Sequence, residues 1–164
     1  MDGATNVRRH LGDVLADPAT HRVLGLCDEA EAPFFVRALS AAGAEVRTPD
    51  DLPAHGFHTC GHDLETELIR ALGTRAVLGV VGELDLEQAF ELFTHQRAWR
   101  GRPPHEQLHR FVGTTSGRKE LVARALAQAV PDDAVPPPLR ALLDQVELAL
   151  AAPTGPPVAR FPLP

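Results

Sequence analysis

The sequence predicts an α/β fold, and two junctions predict it. The first is Arg22–Glu31, RVLGLCDEAE, an apolar run from Val23 to Cys27 that stops at Asp28, Glu29 and Glu31. A short run without polar alternation reads as a strand buried on both faces. Its acids fall at the carboxyl end, the edge where open α/β sheets bind ligands. The second junction is Gly56–Cys60, GFHTC, which runs into Asp63, Glu65 and Glu67. A third observation completes the class: beyond Thr74 the chain reads as helices, a helical C-terminal part.

The elements follow in order. Met1–Ala16 reads as a turn at Gly3, Thr5 and Asn6, then a helix with Val7, Leu11, Val14 and Leu15 on one stripe. Asp17–Thr20 is a linker. After the first strand, Phe34, Phe35, Ala38, Leu39 and Ala42 share a helical face, and Gly43 can close that helix. Ala44–Arg47 is a short second strand, and Thr48–His55 is a Pro/Asp loop. Asp63 is placed to cap a helix. In it Leu64, Leu68, Ala71 and Leu72 face inward, Glu65, Glu67 and Arg70 face away, and Gly73 ends the run. Thr74–His95 reads as two helices broken near Glu83–Asp85. Arg97–Lys119 is basic, with Arg97, Arg100, Arg102, Arg110, Arg118 and Lys119 against one acid, Glu106. Glu120–Val130 is a helix with Leu121, Ala125 and Leu126 inward. Past PDDAVPPP, Leu139–Leu150 is a last amphipathic helix, and Ala151–Pro164 is a Pro-rich tail.

Composition bounds the function. The chain has 164 residues, 44% of them apolar, which suits one domain with a real core. A net charge of −6 gives no bulk attraction to nucleic acid, so any such contact needs a local basic patch. No run is long enough for a membrane span, and no charged-then-apolar leader stands at the start. Cys27 and Cys60 form no spaced framework, which predicts reduced thiols in a cytoplasm. Arginine is the default cation here, so the lone lysine, Lys119, carries weight.

Three constellations bear on chemistry. The acids Asp28/Glu29/Glu31 and Asp63/Glu65/Glu67 each follow a strand. If the strands are parallel neighbours, both clusters open on one edge and can hold hard divalent cations. The alternative is two helix starts with ordinary acidic enrichment. The stretch Thr114–Lys119, TTSGRK, offers backbone N–H groups near Gly113 and Gly117 and two cations to an anion, or else is a solvated basic face. It is not a Walker A loop, since the glycine spacing differs and Glu120 stands where Ser or Thr would ligate Mg²⁺. His58, Cys60 and His62 share a face if all three lie on a strand, and they are zinc-ligand types without a second half-site. No Gly-x-Ser-x-Gly elbow occurs.

Taken together, GATNVRRHLG, LGLCDEAEAPFFVRAL, DLETELIRALG and QRAWRGRPPHEQLHRFVGTTSGRK resemble the Toprim domains of OLD-family ATP-dependent endonucleases, most closely the small stand-alone bacterial type. The likeness covers most of Gly3–Leu150 in order. It implies a Rossmann-like sheet in residues 1–150, with 151–164 as tail, and Mg²⁺- or Mn²⁺-dependent cleavage of a nucleic-acid phosphodiester. Asp28 matches the first aspartate of the family's Asp-x-Asp motif, while the second falls on Ala30, so Glu29 or Glu31 would substitute. Asp63 and Glu65 match the acidic cluster after the next strand. The resemblance thus assigns metal to Asp28, Glu31, Asp63 and Glu65. It assigns catalytic charge stabilisation to Lys119, and phosphate contacts to Arg118, Ser116, Arg102 and Arg100. The implied partners are DNA, a separate ATPase subunit and a second copy of the chain.

Toprim domains open with a strand carrying a glutamate, and Met1-Asp2-Gly3 aligns with a turn after the family's second strand. The expectation is therefore a partial sheet without its first strand, with an apolar edge prone to association. A start upstream of Met1, a natural truncation and a strand supplied by a partner are the three accounts, the first leading. The rival functions are an impaired Toprim remnant that binds nucleic acid or an ATPase, and, more distantly, a zinc protein.

Overall fold

The apolar run after Arg22 becomes a strand, β1 (Gly25–Asp28), and Phe57–Cys60 becomes β2. They pair in parallel, with Gly25 opposite Phe57 and Asp28 opposite Cys60. The Gly25 N–H donates to the Gly56 carbonyl at 3.0 Å and extends the ladder by a step. Burial on both faces holds for β2, where only Thr59 is half-exposed, and less for β1, where only Cys27 is fully buried. The structure, a computed structural model, describes residues 23–113 and 116–151. The Met1–Ala16 helix, the Asp17–Thr20 linker, Thr114, Thr115 and the tail beyond Ala151 lie outside the described residues.

Six helices complete the described chain: α1 (Ala32–Ala41), α2 (Leu64–Glu83), α3 (Glu87–Thr94), α4 (Pro104–Gly113), α5 (Ser116–Ala129) and α6 (Pro137–Ala151). The residues group into two compact units, one ending at His62 and regaining the chain at Pro137, the other running from Asp63 to Pro136.

The first unit is the α/β part. Helix α1 buries Ala32, Phe35, Ala38 and Leu39, and Phe35 meets Phe57 of β2 with ring centroids 5.2 Å apart. Phe34 and Ala42 turn out from that face rather than in, Phe34 being 47% exposed beneath the Arg37 guanidinium. Ala44–Arg47 is not a strand. It is irregular chain without a ladder, held by the Ser40 hydroxyl donating to the Val46 carbonyl, with Val46 buried. The Pro/Asp stretch is a 3-10 helix, Pro49–His55, closed by a Thr48/Asp51 capping box, and it buries Leu52. Helix α6 packs back onto β1 and β2, and its Gln145 amide donates to the Pro53 carbonyl at 3.2 Å.

The second unit is all helix. Leu68, Ile69, Val77, Val81, Phe93, Leu108, Phe111 and Leu126 belong to its core. Gly73 takes φ 73 and ψ 156, which are not helical values, so Leu64–Glu83 is two helical runs meeting at a kink, and the first run ends at Gly73 as predicted. The predicted break near Glu83–Asp85 is observed. The basic stretch before Lys119, to which the sequence reading gave no element, contains α4, which buries Leu108, Phe111 and Val112 at helical spacing. In α5 Leu126 is buried and Ala125 packs on the core as predicted, but Leu121 is 49% exposed and Val122 takes the inward position instead.

Gly56 is fixed by two constraints. Its φ is +86, and an added Cβ would stand 2.7 Å from Leu24 Cδ2 and 2.9 Å from the Val23 carbonyl. Gly56→Ala is therefore expected to cost about 2 kcal/mol or more. Gly79, inside α2 with open space at its Cβ position, is the opposite case. Gly79→Ala is expected to add about 0.5–1 kcal/mol. Equilibrium urea unfolding of both variants checks the two signs.

Candidate functional site

The parallel pairing sets the geometry at the end of β1. Both strands leave at the same edge, so Asp28, Glu29 and Glu31 occupy the turn beyond the carboxyl ends of the pair. Glu31 stands at the N-cap of α1, yet its side chain makes no cap hydrogen bond, and no acid lies in the helix's first turn. The backbone closes this turn instead: Glu31 N–H donates to the Asp28 carbonyl at 2.9 Å and Phe34 N–H to the Glu31 carbonyl at 2.8 Å. Three carboxylates within four residues are hard-oxygen donors of the kind Mg²⁺ or Mn²⁺ takes, though their oxygens do not all gather within 4.8 Å of one another.

The acids of the second unit are used differently. Asp63 is a true N-cap, accepting from the Thr66 N–H at 2.8 Å. Its other oxygen lies 2.7 Å from His109 Nε2 on α4. Burial pushes the Asp63 carboxyl up, but the hydrogen bonds from Thr66 and His109 outweigh it and bring it down to about 2. Glu65 and Glu67 do not face away from the core, since both are buried. Glu65 Oε1 is 3.2 Å from Lys119 Nζ on α5, and Glu67 is 3.1 Å from Arg70. Asp63, Glu65 and Lys119 are thus gathered within one unit, with His109 as a fourth member.

Sequence reading missed His109 because it missed α4. The signal was present in Leu108, Phe111 and Val112, whose spacing sets one face of a helix and puts His109 beside it. His62, bonded to Asp63, is also a metal-ligand type, but it sits at φ 84 beyond the end of β2. The shared strand face predicted for His58, Cys60 and His62 therefore holds only for the first two.

The basic residues also divide. Ser116, Arg118 and Lys119 lie in the first turn of α5 rather than in a glycine loop. The Arg118 guanidinium stacks 4.1 Å from the Phe111 ring and donates to the Phe111 carbonyl at 3.2 Å. Arg100 donates to the His95 carbonyl at 3.1 Å, and Arg102 sits 3.5 Å from Glu106, both at the surface. Cys27 and Cys60 are free and buried. Burial pushes the Cys27 thiol up, against the Thr59 hydrogen bond and helped by Glu31 and Asp28.

No family model, curated protein or solved structure matches this chain. Among the described residues no helix is long and apolar enough to cross a membrane.

The depressed Asp63 carboxyl makes a pH prediction. Its stabilisation is present above the ordinary carboxylate value and is lost as pH falls toward about 2. For a side chain this well covered the difference is worth about 2 kcal/mol at neutral pH. Asp63→Asn keeps a capping side chain but removes the charge. It is expected to destabilise by roughly 1–2 kcal/mol at about pH 7 and by almost nothing near pH 2. Urea midpoints of the two proteins across that range check it.

Proposed function

We propose that this chain is a Toprim-type phosphodiester-cleaving domain of the OLD-endonuclease kind, acting on DNA with Mg²⁺ or Mn²⁺. The observation that carries the reading is the acidic turn at the carboxyl edge of two parallel strands, where Glu31 is not spent on capping α1. In this reading Asp28 and Glu31 of the first unit hold metal, while Asp63 and Glu65 of the second unit are engaged by His109 and Lys119. A bound divalent cation would polarise the scissile phosphate and lower the pKa of an attacking water. Lys119, 53% exposed beside Glu65, supplies the cation for charge developing on the phosphate. Arg100, Arg102, Arg118 and Ser116 are the residues assigned to the backbone of the nucleic acid. A cytoplasmic setting, a separate ATPase subunit and self-association belong to the same proposal.

One observation favours a second reading, a Toprim remnant that binds nucleic acid or an ATPase without cutting. Ala30, exposed in the turn after β1, stands in the place of the motif's second aspartate.

Nicking of supercoiled plasmid by the purified chain separates the two. The expected result is nicking that requires Mg²⁺ or Mn²⁺, stops with a chelator, and falls about 100-fold or more in Asp28→Ala and in Lys119→Ala. Nicking that survives chelation, or is unchanged in both variants, sinks the assignment. DNA retention without nicking, weakening steeply with salt, supports the remnant instead.

A further inference from the structure

The first unit contains a cavity of about 590 Å³ that the proposed reaction does not use. It is lined by the turn after β1 and the start of α1, the end of β2, the 3-10 helix and the first turn of α6. Cavities of a few hundred Å³ suit small organic ligands. Its charged lining is Glu29 and Asp50, with neither Lys nor Arg, so the cavity offers an anion no cationic side chain. His58 lies on its wall, only 8% exposed, and its Nε2 has no hydrogen-bond partner. A buried imidazole nitrogen left unpaired carries its full desolvation cost, and native structures leave few such atoms unexplained. Pro49, Pro53, Pro137 and Pro138 supply rigid apolar walls that lose little entropy when covered.

We infer that this cavity binds a small organic cation of the amine or guanidinium class. Its N–H groups pair with Asp50 and Glu29 and reach His58 as acceptor, and its aliphatic stem lies along the prolines. A bare metal ion fits less well. Among the described residues the ligand atoms of Glu29, Asp50 and His58 do not converge within 4.8 Å, whereas a polyatomic cation spans the separation. The inference does not need the cleavage reading, which assigns metal to Asp28 and Glu31: the cavity shares only Glu29 with that acidic turn, and Asp50 and His58 lie outside it.

The test is isothermal titration of the full-length chain with agmatine, in buffer free of divalent metal, with inorganic phosphate as control. Saturable one-to-one binding of agmatine and none of phosphate is expected. Asp50 is exposed, and Asp51 rather than Asp50 closes the capping box, so Asp50→Asn leaves the local fold intact. Asp50→Asn and His58→Gln should each weaken binding about tenfold, the loss of one charge-assisted or buried hydrogen bond. Circular dichroism confirms that both variants are folded. No heat with agmatine at millimolar concentration, affinity unchanged in the folded Asp50→Asn protein, or phosphate binding equally well each overturns the inference.

Discussion

The parallel pairing of β1 with β2 is the constraint on which the α/β unit depends. Parallel strands cannot be joined by a tight turn, so the chain must travel back across the sheet before it can pair again. Here α1, the irregular Ala44–Arg47 segment and the 3-10 helix make that return. Two results follow. Both strands release the chain at the same edge, which is why the acidic turn after β1 and the Gly61–His62 step after β2 lie together there. And the return must end in a sharp re-entry at Gly56, where the left-handed φ and the closeness of the Val23 carbonyl leave no room for a side chain. Leu52 and Val46, both buried, anchor the return path to the same core as Phe35 and Phe57.

Two acidic segments of similar composition meet different fates, and the difference is one of solvation. Asp28, Glu29 and Glu31 sit in a turn that the backbone closes by itself. Asp63, Glu65 and Glu67 are drawn toward the helical core, where an unpaired carboxylate would cost several kcal/mol, on the order of a lost buried ion pair. Each has accordingly gained a partner: the His109 imidazole, the Lys119 ammonium and the Arg70 guanidinium. The pairing also explains how α5 tolerates Arg118 and Lys119 in its first turn, where positive charge opposes the helix dipole. Glu65 offsets one, and the ring and carbonyl of Phe111 offset the other.

Much of the first unit was legible in the residues. The apolar run at Val23–Cys27, the stripe through Phe35, Ala38 and Leu39, and GFHTC all carry local periodicity, and local periodicity is what a single sequence displays. What escaped was decided by tertiary context. Ala44–Arg47 has a strand-like composition, but the backbone turns back on itself there, Val46 N–H donating to the Ala44 carbonyl at 2.9 Å. The outward face assigned to Glu65 and Glu67 follows from charge alone, and only the arrival of Lys119 and Arg70 makes their burial affordable. Helix α4 was hidden by Pro103, Pro104 and a run of basic residues, although Leu108, Phe111 and Val112 carry the right spacing. Of the candidate site, Asp63, Glu65 and Lys119 were legible as types. Their partner His109 was not, because it lies far away in sequence on an element that composition concealed.

The allocation of cations also bears on how a net acidic chain would hold a polyanion. An arginine already stacked on a core ring and bonded to a carbonyl, as Arg118 is, must give up both contacts to reach a phosphate. Arg100 and Arg102 surrender far less. One donates to a single surface carbonyl, and the other sits 3.5 Å from an acid in an exposed i,i+4 pair of the kind worth at most about 1 kcal/mol. Lys119 lies between these cases: half-exposed, but needed to neutralise a buried glutamate. A phosphate approaching α5 would compete with Glu65 for the same ammonium, and a divalent cation on Glu65 would remove that competition by taking over the glutamate's charge. Metal and phosphate would then favour each other's binding through one lysine, and the acids of the second unit would couple the two by electrostatics even where they do not share a ligand.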